Sequence, residues 1–214
     1  MTPRILSCSP SWIDADLDEA VAHVADGGLV VLPTDTVYGI GATAHDPAAV
    51  ARVLAAKGRG RQMPPPVLVA DEEAIDLLAV EVPDAARRLA ASHWPGGLTL
   101  ILRARPDLGW DLGETGGTIA LRMPDHPRVL ELLERTGPMA VTSANLTGEP
   151  PATRLEEAVA SFGDSVLYVD GGPTPGSTPS TILDLAHGEP RAIRLGTLSL
   201  EELADAAGVD IRPA

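Results

Sequence analysis

Two hydrophobic patterns alternate along the chain. Apolar residues that recur every three or four positions predict amphipathic helices, and short continuous aliphatic runs predict buried strands. The predicted helices cover residues 14–26, 46–57, 71–80, 83–92, 125–133, 153–162 and 199–207. The predicted strands cover residues 29–32, 66–70, 98–103, 118–121, 139–141, 166–169, 181–185 and 192–195. Because some neighbouring strands are too close for a helical crossover, the pattern predicts an α/β domain with a mixed parallel and antiparallel sheet.

Helix starts are marked by side chains that can accept hydrogen bonds from the free N–H groups of a first turn. We expect Asp14 or Asp16 to cap the first helix, which ends at Gly27 and Gly28. The other predicted starts are Asp46 followed by Pro47, Asp125 with Pro127, and the capping boxes Thr153 with Glu156 and Ser199 with Glu202.

Two longer segments, 106–117 and 171–179, have the composition of loops. Loops of this length inside a compact domain are often functional, although simple surface connection explains them equally well. Neither has the composition of a domain linker. We therefore expect a single domain over residues 1–214, with its motifs at 14–196 and a short C-terminal helix at 199–207.

Composition argues against several classes of protein, namely broad nucleic-acid binders, disulfide-bonded proteins and membrane proteins. The net charge of −14 argues against a broad nucleic-acid groove, although a few clustered cations can still form a local anion site. The single cysteine, Cys8, excludes an intramolecular disulfide and a multi-cysteine metal centre. The sequence has neither a secretory signal nor an apolar run of about 18 residues, so we expect a cytoplasmic protein that does not contact a membrane.

Polar side chains follow several predicted strands at the point where each strand ends. Thr34, Asp35 and Thr36 follow one strand, and Ser143 and Asn145 follow another. Such residues often form turns through local hydrogen bonds. They also suit a phosphate, a ribose or an amino acid in the crevice at the carboxyl edge of an α/β sheet. The same pattern at other strand ends includes Arg122, Ser180, Thr181 and Arg194.

A cationic tract, KGRGR at residues 57–61, stands out in this acidic chain. Charged runs are usually solvated surface, but lysine and arginine beside glycines can also bind a polyphosphate. The chain has no P-loop and no G-x-G-x-x-G motif, and its five histidines lack metal-ligand spacing. The sequence therefore predicts neither a P-loop or dinucleotide-binding fold nor a histidine metal centre.

Seven short motifs follow one another along the chain: PTDTVYGIGA at 33–42, KGR at 57–59, WPGGLT at 94–99, RMP at 122–124, SANLTGEP at 143–150, STILD at 180–184 and IRLG at 193–196. In this order they resemble the YrdC-like family, in particular its single-domain threonylcarbamoyl-AMP synthases. The resemblance implies one YrdC-like domain, a twisted mixed sheet flanked by helices with a concave ligand crevice. It also implies that L-threonine, bicarbonate or CO2 and ATP give threonylcarbamoyl-AMP and pyrophosphate, for t6A modification at position 37 of tRNA.

The resemblance also implies roles for individual residues. It places the catalytic residues Lys57 and Arg59 on the ATP phosphates. The remaining ATP contacts that it implies are Thr118, Ser143, Asn145 and Arg194, and the threonine contacts are Thr36, Arg122 and Ser180. It implies Mg²⁺ carried by ATP, without identifying a metal ligand from the protein. The set Lys57, Arg59, Ser143 and Asn145, which distinguishes synthases from a related paralogue, is complete.

Some positions depart from the family pattern. Gly97 and the run Pro65-Pro66-Val67-Leu68 replace commoner residues, so a histidine contact to threonine does not carry over to this chain. Met63 stands where an asparagine is frequent near the nucleotide. Contacts from residues 60–70 therefore stay unassigned.

The implied partners are ATP, L-threonine, bicarbonate or CO2 and, transiently, the tRNA-modifying threonylcarbamoyl transferase complex. We expect at most weak contact with tRNA itself. Two alternatives remain open: an RNA-binding YrdC-like module, and a carbamoyl transferase similar to the hydrogenase maturation protein HypF. The net charge of −14 argues against the first, and the lack of acylphosphatase and cysteine-rich zinc modules argues against the second.

Overall fold

A computed structural model describes residues 2–214, and these residues form one mixed sheet with helices packed against it. The strands are β1 (Arg4–Ser7), β2 (Val30–Leu32), β3 (Gly39–Thr43), β4 (Val67–Leu68), β5 (Ala79–Val80), β6 (Leu98–Ala104), β7 (Thr118–Arg122), β8 (Met139–Ser143), β9 (Leu167–Asp170), β10 (Thr181–Asp184), β11 (Arg191–Arg194) and β12 (Arg212–Pro213). The helices are α1 (Asp14–Ala25), α2 (Pro47–Ala56), α3 (Ala74–Leu78), α4 (Asp84–His93), α5 (Pro127–Thr136), α6 (Leu155–Phe162) and α7 (Leu200–Ala207).

The described strands are paired in the order β1-β9-β2-β3-β8-β4-β7-β6-β10-β11-β12, and β5 pairs with β6 outside this path. β9 is parallel to β1 and β2, and β10 is parallel to β6, whereas β3 is antiparallel to β2 and β8. The predicted α/β fold with a mixed sheet and flanking helices is confirmed. The domain limits 1–214 stay a prediction, and residue 1 lies outside the described residues.

Local sequence explains the helix that leads to the cationic tract. Asp46 precedes α2 and its carboxylate accepts a hydrogen bond from the Ala48 amide at 2.8 Å, while Pro47 occupies the first turn. Val50 and Val53 are buried one turn apart on the inner face. Both features were predicted, because each depends only on nearby residues. The helix ends at Ala56, which places Lys57 at its carboxyl end.

Three predicted caps are wrong. Ile13, rather than Asp14 or Asp16, holds the cap position of α1, and both aspartates lie in the first turn, where their charge favours the helix dipole. His126, rather than Asp125, caps α5 by accepting from the Val129 amide. The box at α6 is shifted from Glu156 to Glu157, whose Oε2 accepts from the Thr153 and Arg154 amides. The predicted box of Ser199 with Glu202 is confirmed at α7.

Four short strands were not predicted, namely β1, β3, β5 and β12. β3 is formed by the glycine-containing run GIGAT and is stabilised by antiparallel pairing on both sides. A Cβ on Gly41 would lie 2.5 Å from the Ala140 carbonyl oxygen, so glycine allows these backbones to approach. The helix predicted at 71–80 is also shorter, because β5 replaces its last turn by pairing with β6. Tertiary pairing overrides local propensity in each case.

Alternate side chains of β6 face opposite sides of the sheet. Leu98, Leu100 and Leu102 are fully buried in an apolar core with residues of α3, α4 and α7. Thr99 and Ile101 alternate with these leucines and point to the other face. That other face carries the cavity described below.

Candidate functional site

A cavity of about 340 Å³ lies on the face of the sheet to which Thr99 and Ile101 point. This volume is in the range of small-molecule binding sites, roughly 300–1,000 Å³. Seven of the residues predicted to bind substrates line it: Thr36, Arg59, Thr118, Arg122, Ser143, Ser180 and Arg194. The polar groups at separate strand ends therefore meet in one place, as the sequence pattern predicts.

The run of Thr34, Asp35 and Thr36 is both a turn and part of the cavity wall. The Thr34 hydroxyl donates to the Val37 carbonyl at 2.6 Å and accepts from the Thr36 and Val37 amides, both at 3.2 Å. The Thr36 hydroxyl lies 3.0 Å from that of Thr34, and both threonines line the cavity. Thr34 thus closes the turn, and this turn presents the Thr36 side chain to the cavity.

Arg122 reaches the cavity from β7 and is held by two groups behind it. Its Nη2 donates to Asp35 Oδ1 at 2.6 Å, and its Nε donates to the Gly96 carbonyl at 3.0 Å. Only 8% of the Arg122 side chain and 15% of the Asp35 side chain are exposed. Burial lowers the pKa of Arg122, and the adjacent Asp35 carboxylate opposes this shift. Asp35 therefore orients a buried guanidinium, and its Oδ1 also accepts from the Asp125 amide.

Ser180 connects three strands of the cavity floor. Its hydroxyl lies 3.0 Å from the Thr99 hydroxyl and accepts from Arg194 Nη2 at 3.2 Å. Arg194 also donates from Nε and Nη2 to the Ser180 carbonyl, at 3.1 and 2.8 Å. Ser180 and Thr99 are buried, so these hydrogen bonds fix the positions of the hydroxyls that face the cavity.

Three arginines line the cavity, and the charge of one of them, Arg122, is offset by Asp35. Burial, followed by the charges of Arg122 and Arg59, lowers the pKa of Arg194. Burial also lowers the pKa of Arg59, whose Nη1 donates to Thr142 Oγ1 at 3.0 Å. Repelling cations held together in a partly buried site attract an anion, because an anionic ligand relieves both the repulsion and the desolvation. Of the cationic tract at residues 57–61, only Arg59 lines the cavity, where it is joined by Arg122 and Arg194. That this cluster binds an anion stays a prediction.

The side chains of Lys57 and Asn145 contact each other. Neither residue is among the described residues that line the cavity. Lys57 is 1% exposed, and its ammonium donates to the Ser143 and Asn145 carbonyls and, at 2.9 Å, to Asn145 Oδ1. The Asn145 amide nitrogen donates to the Leu146 and Glu149 carbonyls at 2.9 and 2.7 Å. Both side chains therefore brace the turn that follows β8.

Ser143 and Thr118 line the cavity from two different strands, β8 and β7. Ser143 ends β8, and its carbonyl accepts from Lys57 while the residue lines the cavity. The Thr118 hydroxyl donates to the Thr115 carbonyl at 2.7 Å, at the end of the predicted loop 106–117. Through Leu112 and Thr115 this loop contributes to the cavity wall.

Several cavity residues were not identified from the sequence. Thr99, Thr115 and Thr142 line the cavity without being predicted to do so. Thr99 lies within the WPGGLT motif, and its hydroxyl lies 3.0 Å from that of Ser180 because β6 and β10 pair in parallel. Met63 and residues 64–66, where the family pattern is broken, also line the cavity with largely apolar groups.

Gly97 departs from the family pattern and packs closely against two threonines, so a side chain here would displace the Thr197 hydroxyl. A Cβ at this position would lie 2.3 Å from Thr197 Oγ1 and 3.4 Å from Thr36 Cγ2. The Gly97 carbonyl also accepts from the Thr181 amide at 2.8 Å, at the start of β10. Glycine thus lets the WPGG turn pack closely against the threonine turn of the cavity.

Among residues 2–214, no group of three or more His, Cys, Asp or Glu side chains could hold a metal ion. In the same part of the chain, no helix has both the length and the apolar character required to cross a membrane.

Comparison with known proteins identifies the family of this chain. A family model for Sua5, YciO and YrdC proteins, described as telomere recombination, matches residues 22–196. The chain belongs to the Sua5/YciO/YrdC family. The resemblance inferred from the seven motifs is thereby confirmed.

Three relatives illustrate the match. A Mycobacterium tuberculosis protein, provisionally named threonylcarbamoyl-AMP synthase, is 47% identical over 98% of this chain and 97% of its own length. Pyrococcus abyssi Sua5, solved in complex with L-threonine, superposes with a TM-score of 0.91 at 36% identity. That match covers 97% of this chain and 62% of the Sua5 chain. Escherichia coli YciO has a TM-score of 0.84 at 26% identity and covers 95% of this chain and 100% of its own.

Proposed function

We propose that this protein is an L-threonylcarbamoyladenylate synthase, which converts L-threonine, bicarbonate or CO2 and ATP to threonylcarbamoyl-AMP and pyrophosphate. The observation that carries the proposal is one cavity in which three arginines and a set of hydroxyls meet. Arg59 and Arg194 supply positive charge for phosphates, while Arg122 and the hydroxyls of Thr36 and Ser180 suit a polar amino acid. The threonine complex of the Sua5 relative supports the amino-acid assignment.

The chemistry requires positioning more than acid–base catalysis. The threonine amine and CO2 give a carbamate, whose oxygen attacks the α-phosphorus of ATP while pyrophosphate leaves with the electrons of the broken P–O bond. A carbamate is already anionic and nucleophilic at neutral pH, so this attack needs no protein base. The protein would hold both substrates in one cavity and neutralise the charge on the phosphates.

Mg²⁺ remains part of the proposal as an ion that arrives on ATP. The cavity supplies hydroxyl and guanidinium groups, and no Asp or Glu is among the described residues that line it. Mg²⁺ commonly retains waters and binds substrate phosphates rather than an all-protein cage. The walls therefore fit a metal ion that the triphosphate carries, with Arg59 and Arg194 offsetting the remaining negative charge.

Transfer of the threonylcarbamoyl group to a tRNA-modifying complex, weak contact with tRNA and a cytoplasmic location also belong to the proposal. The transfer is expected because the proposed product is a mixed anhydride that a separate enzyme must consume. Weak contact with tRNA agrees with the net charge of −14, and the location rests on the sequence argument alone.

The test is pyrophosphate release from ATP with each co-substrate omitted in turn. We expect turnover to need both threonine and bicarbonate. Turnover without threonine would contradict the proposal. A parallel reaction in which carbamoyl phosphate replaces both co-substrates separates the synthase from a HypF-like carbamoyl transferase. We expect this protein to show no turnover with carbamoyl phosphate.

A further inference from the structure

The Arg59 guanidinium is held by two threonine hydroxyls. Its Nη1 donates to Thr142 Oγ1 at 3.0 Å, and its Nε donates to Thr147 Oγ1 at 3.3 Å. Within residues 2–214, Arg59 forms no ion pair with an Asp or Glu, and burial lowers its pKa. Arg122, by contrast, donates to the Asp35 carboxylate. The positive charge of Arg59 is therefore left without a counter-ion among these residues.

The hydroxyl of Thr147 has a defined direction. It donates its proton to the Lys57 carbonyl at 2.8 Å, and the Thr147 amide donates to the same carbonyl at 3.3 Å. Because a hydroxyl carries a single proton, its oxygen can only accept from Arg59. Thr147 thus bridges the backbone of Lys57 and the side chain of Arg59, which lies two positions later in the cationic tract.

The same two segments are also joined in the opposite direction. The Lys57 ammonium donates to the Ser143 carbonyl, while the Thr147 hydroxyl donates back to the Lys57 carbonyl. The backbone of Arg59 is fixed separately, because its amide donates to the Leu54 carbonyl of α2 at 2.9 Å. The tract is thus anchored along its backbone, and the hydroxyls that contact the guanidinium hold the Arg59 side chain.

The two hydroxyls approach Arg59 from different places. Thr142 is buried in β8 and lines the cavity with Arg59, whereas Thr147 is exposed and is outside the set of described residues that line it. An arginine carries more N–H donors than these two contacts use, so donors remain for a ligand. A guanidinium that is ordered before a ligand arrives loses less conformational freedom on binding. The contacts therefore favour binding of an anion at Arg59 without neutralising its charge.

We propose that Thr147 is a positioning residue, which holds the Arg59 side chain in the cavity wall so that the guanidinium binds a phosphate group of ATP. In this role Thr147 acts through Arg59 rather than on the ligand itself, and Thr142 is the second point of attachment. ATP as the ligand rests on the proposed function, whereas the hydrogen bond between Thr147 and Arg59 does not. Loss of the Thr147 hydroxyl should weaken ATP binding and leave threonine binding unchanged.

Three variants separate this role from a general loss of stability. Thr147→Val removes the hydroxyl with little change in shape, and Thr147→Ser keeps it. Thr136→Val is the matched control, because the Thr136 hydroxyl also donates to backbone carbonyls, those of Leu132 and Gly137, at 3.0 Å each. Thr136 lies at the end of α5 and is not among the described residues that line the cavity. Both valine variants lose a hydroxyl that is bonded to the backbone, so a general loss of stability affects them alike.

The first measurement requires no ligand. It is the exchange with water of the Arg59 Nε proton in the full chain, followed by heteronuclear NMR, with the signal assigned by its loss in Arg59→Met. We expect exchange to be about fivefold faster in Thr147→Val, and within about twofold of wild type in Thr147→Ser and Thr136→Val. The same rate in Thr147→Val as in wild type would overturn the proposal.

The second measurement is steady-state pyrophosphate release. The ATP KM of Thr147→Val should rise about fivefold, with the threonine KM within about twofold of wild type. Thr147→Ser should recover most of the loss, and Thr136→Val should keep wild-type constants. Equal rises of the two KM values in Thr147→Val would refute the assignment, because they would indicate a general disturbance of the cavity.

A double-mutant cycle tests whether Thr147 acts through Arg59. In the Arg59→Met background, Thr147→Val should lower kcat/KM for ATP by less than about twofold, because the group that it positions is already absent. The same loss in both backgrounds would show that Thr147 does not act through Arg59. A wild-type protein without threonine-dependent turnover would contradict the proposed function, while the proton exchange of Arg59 would still decide whether Thr147 holds it.

Discussion

The Asp35 carboxylate and the Arg122 guanidinium form a buried ion pair, with 2.6 Å between Oδ1 and Nη2. Asp35 lies in the threonine turn after β2 and Arg122 at the end of β7, so the pair joins two walls of the cavity. A second arginine–aspartate pair, Arg61 with Asp111, has nearly the same distance of 2.7 Å, but its side chains are 56% and 45% exposed. The chain thus contains one buried and one exposed pair of similar geometry.

Asp35→Asn should destabilise the protein and weaken threonine binding. Removal of the carboxylate charge leaves a buried guanidinium without its counter-ion, which costs about 3 kcal/mol in the free energy of unfolding. The threonine KM should rise at least about tenfold, because Arg122 loses the group that orients it. Asp111→Asn is the control and should cost less than about 1 kcal/mol. Chemical denaturation and initial rates measure both effects, and equal losses in the two variants would contradict the prediction.

The two threonines of the cavity turn should separate stability from binding. Thr34→Val removes the hydroxyl that closes the turn, and we expect a loss of about 1–2 kcal/mol in the free energy of unfolding. Thr36→Val removes a hydroxyl whose protein partner is the hydroxyl of Thr34, so stability should change by less than about 1 kcal/mol. The threonine KM of Thr36→Val should instead rise about tenfold. Wild-type threonine affinity in Thr36→Val would remove this residue from the binding site.

Substitution of Lys57 should impair ATP use through the turn after β8. Lys57→Met leaves the Ser143 and Asn145 carbonyls without their buried donor, so the position of the Ser143 hydroxyl is no longer fixed. We expect kcat/KM for ATP to fall about 100-fold. Arg61→Met is the control from the same cationic tract, because Arg61 is exposed, and its kcat/KM should stay within about threefold of wild type. An unchanged kcat/KM in Lys57→Met would separate Lys57 from ATP use.

The sequence predicted features that depend on neighbouring residues. Asp46 and Pro47 define the start of α2, and Ser199 with Glu202 the start of α7, because each cap requires only residues in one turn. It did not predict β3, whose glycine-containing run is extended because β2 and β8 pair with it. The prediction of a cap also failed at three helices. There the direction in which the chain enters the helix decides which side chain reaches the free N–H groups, and tertiary packing sets that direction.

The same distinction applies to the site. Motif order placed Thr36, Arg122 and Ser180 in one crevice, and the structure brings them to one cavity. It did not reveal that Lys57 reaches Asn145, a residue 88 positions away, or that Asp35 supports Arg122. Those relationships depend on the register of the strands and on the direction of each side chain, which no local spacing encodes.

The protonation of Lys57 should make stability depend on pH in a defined direction. Burial, with the charge of Arg59 as second cause, lowers the pKa of Lys57 from 10.5 to about 7. The unfolded chain keeps this lysine protonated up to about pH 10.4, whereas the folded chain releases the proton near pH 7. Folding therefore releases a proton between these values, and the contribution of Lys57 to stability becomes more favourable as pH rises through that window. Below about pH 7 both states are protonated and the contribution is constant.

The measurement is the free energy of unfolding of wild type and Lys57→Met at pH 6, 7, 8 and 9. Subtraction of the two curves cancels groups that titrate independently, including His126, whose pKa is lowered by its own burial. We expect wild type to gain on the order of 1 kcal/mol relative to the variant for each pH unit above about 7, and nothing between pH 6 and 7. Arg61→Met should show no such dependence. A difference that stays constant above pH 7 would contradict the prediction and mean that Lys57 keeps its ordinary pKa, because its three carbonyl acceptors then offset the effect of burial on the ammonium. A difference that declines above pH 7 would contradict it too, and would mean that these acceptors outweigh burial.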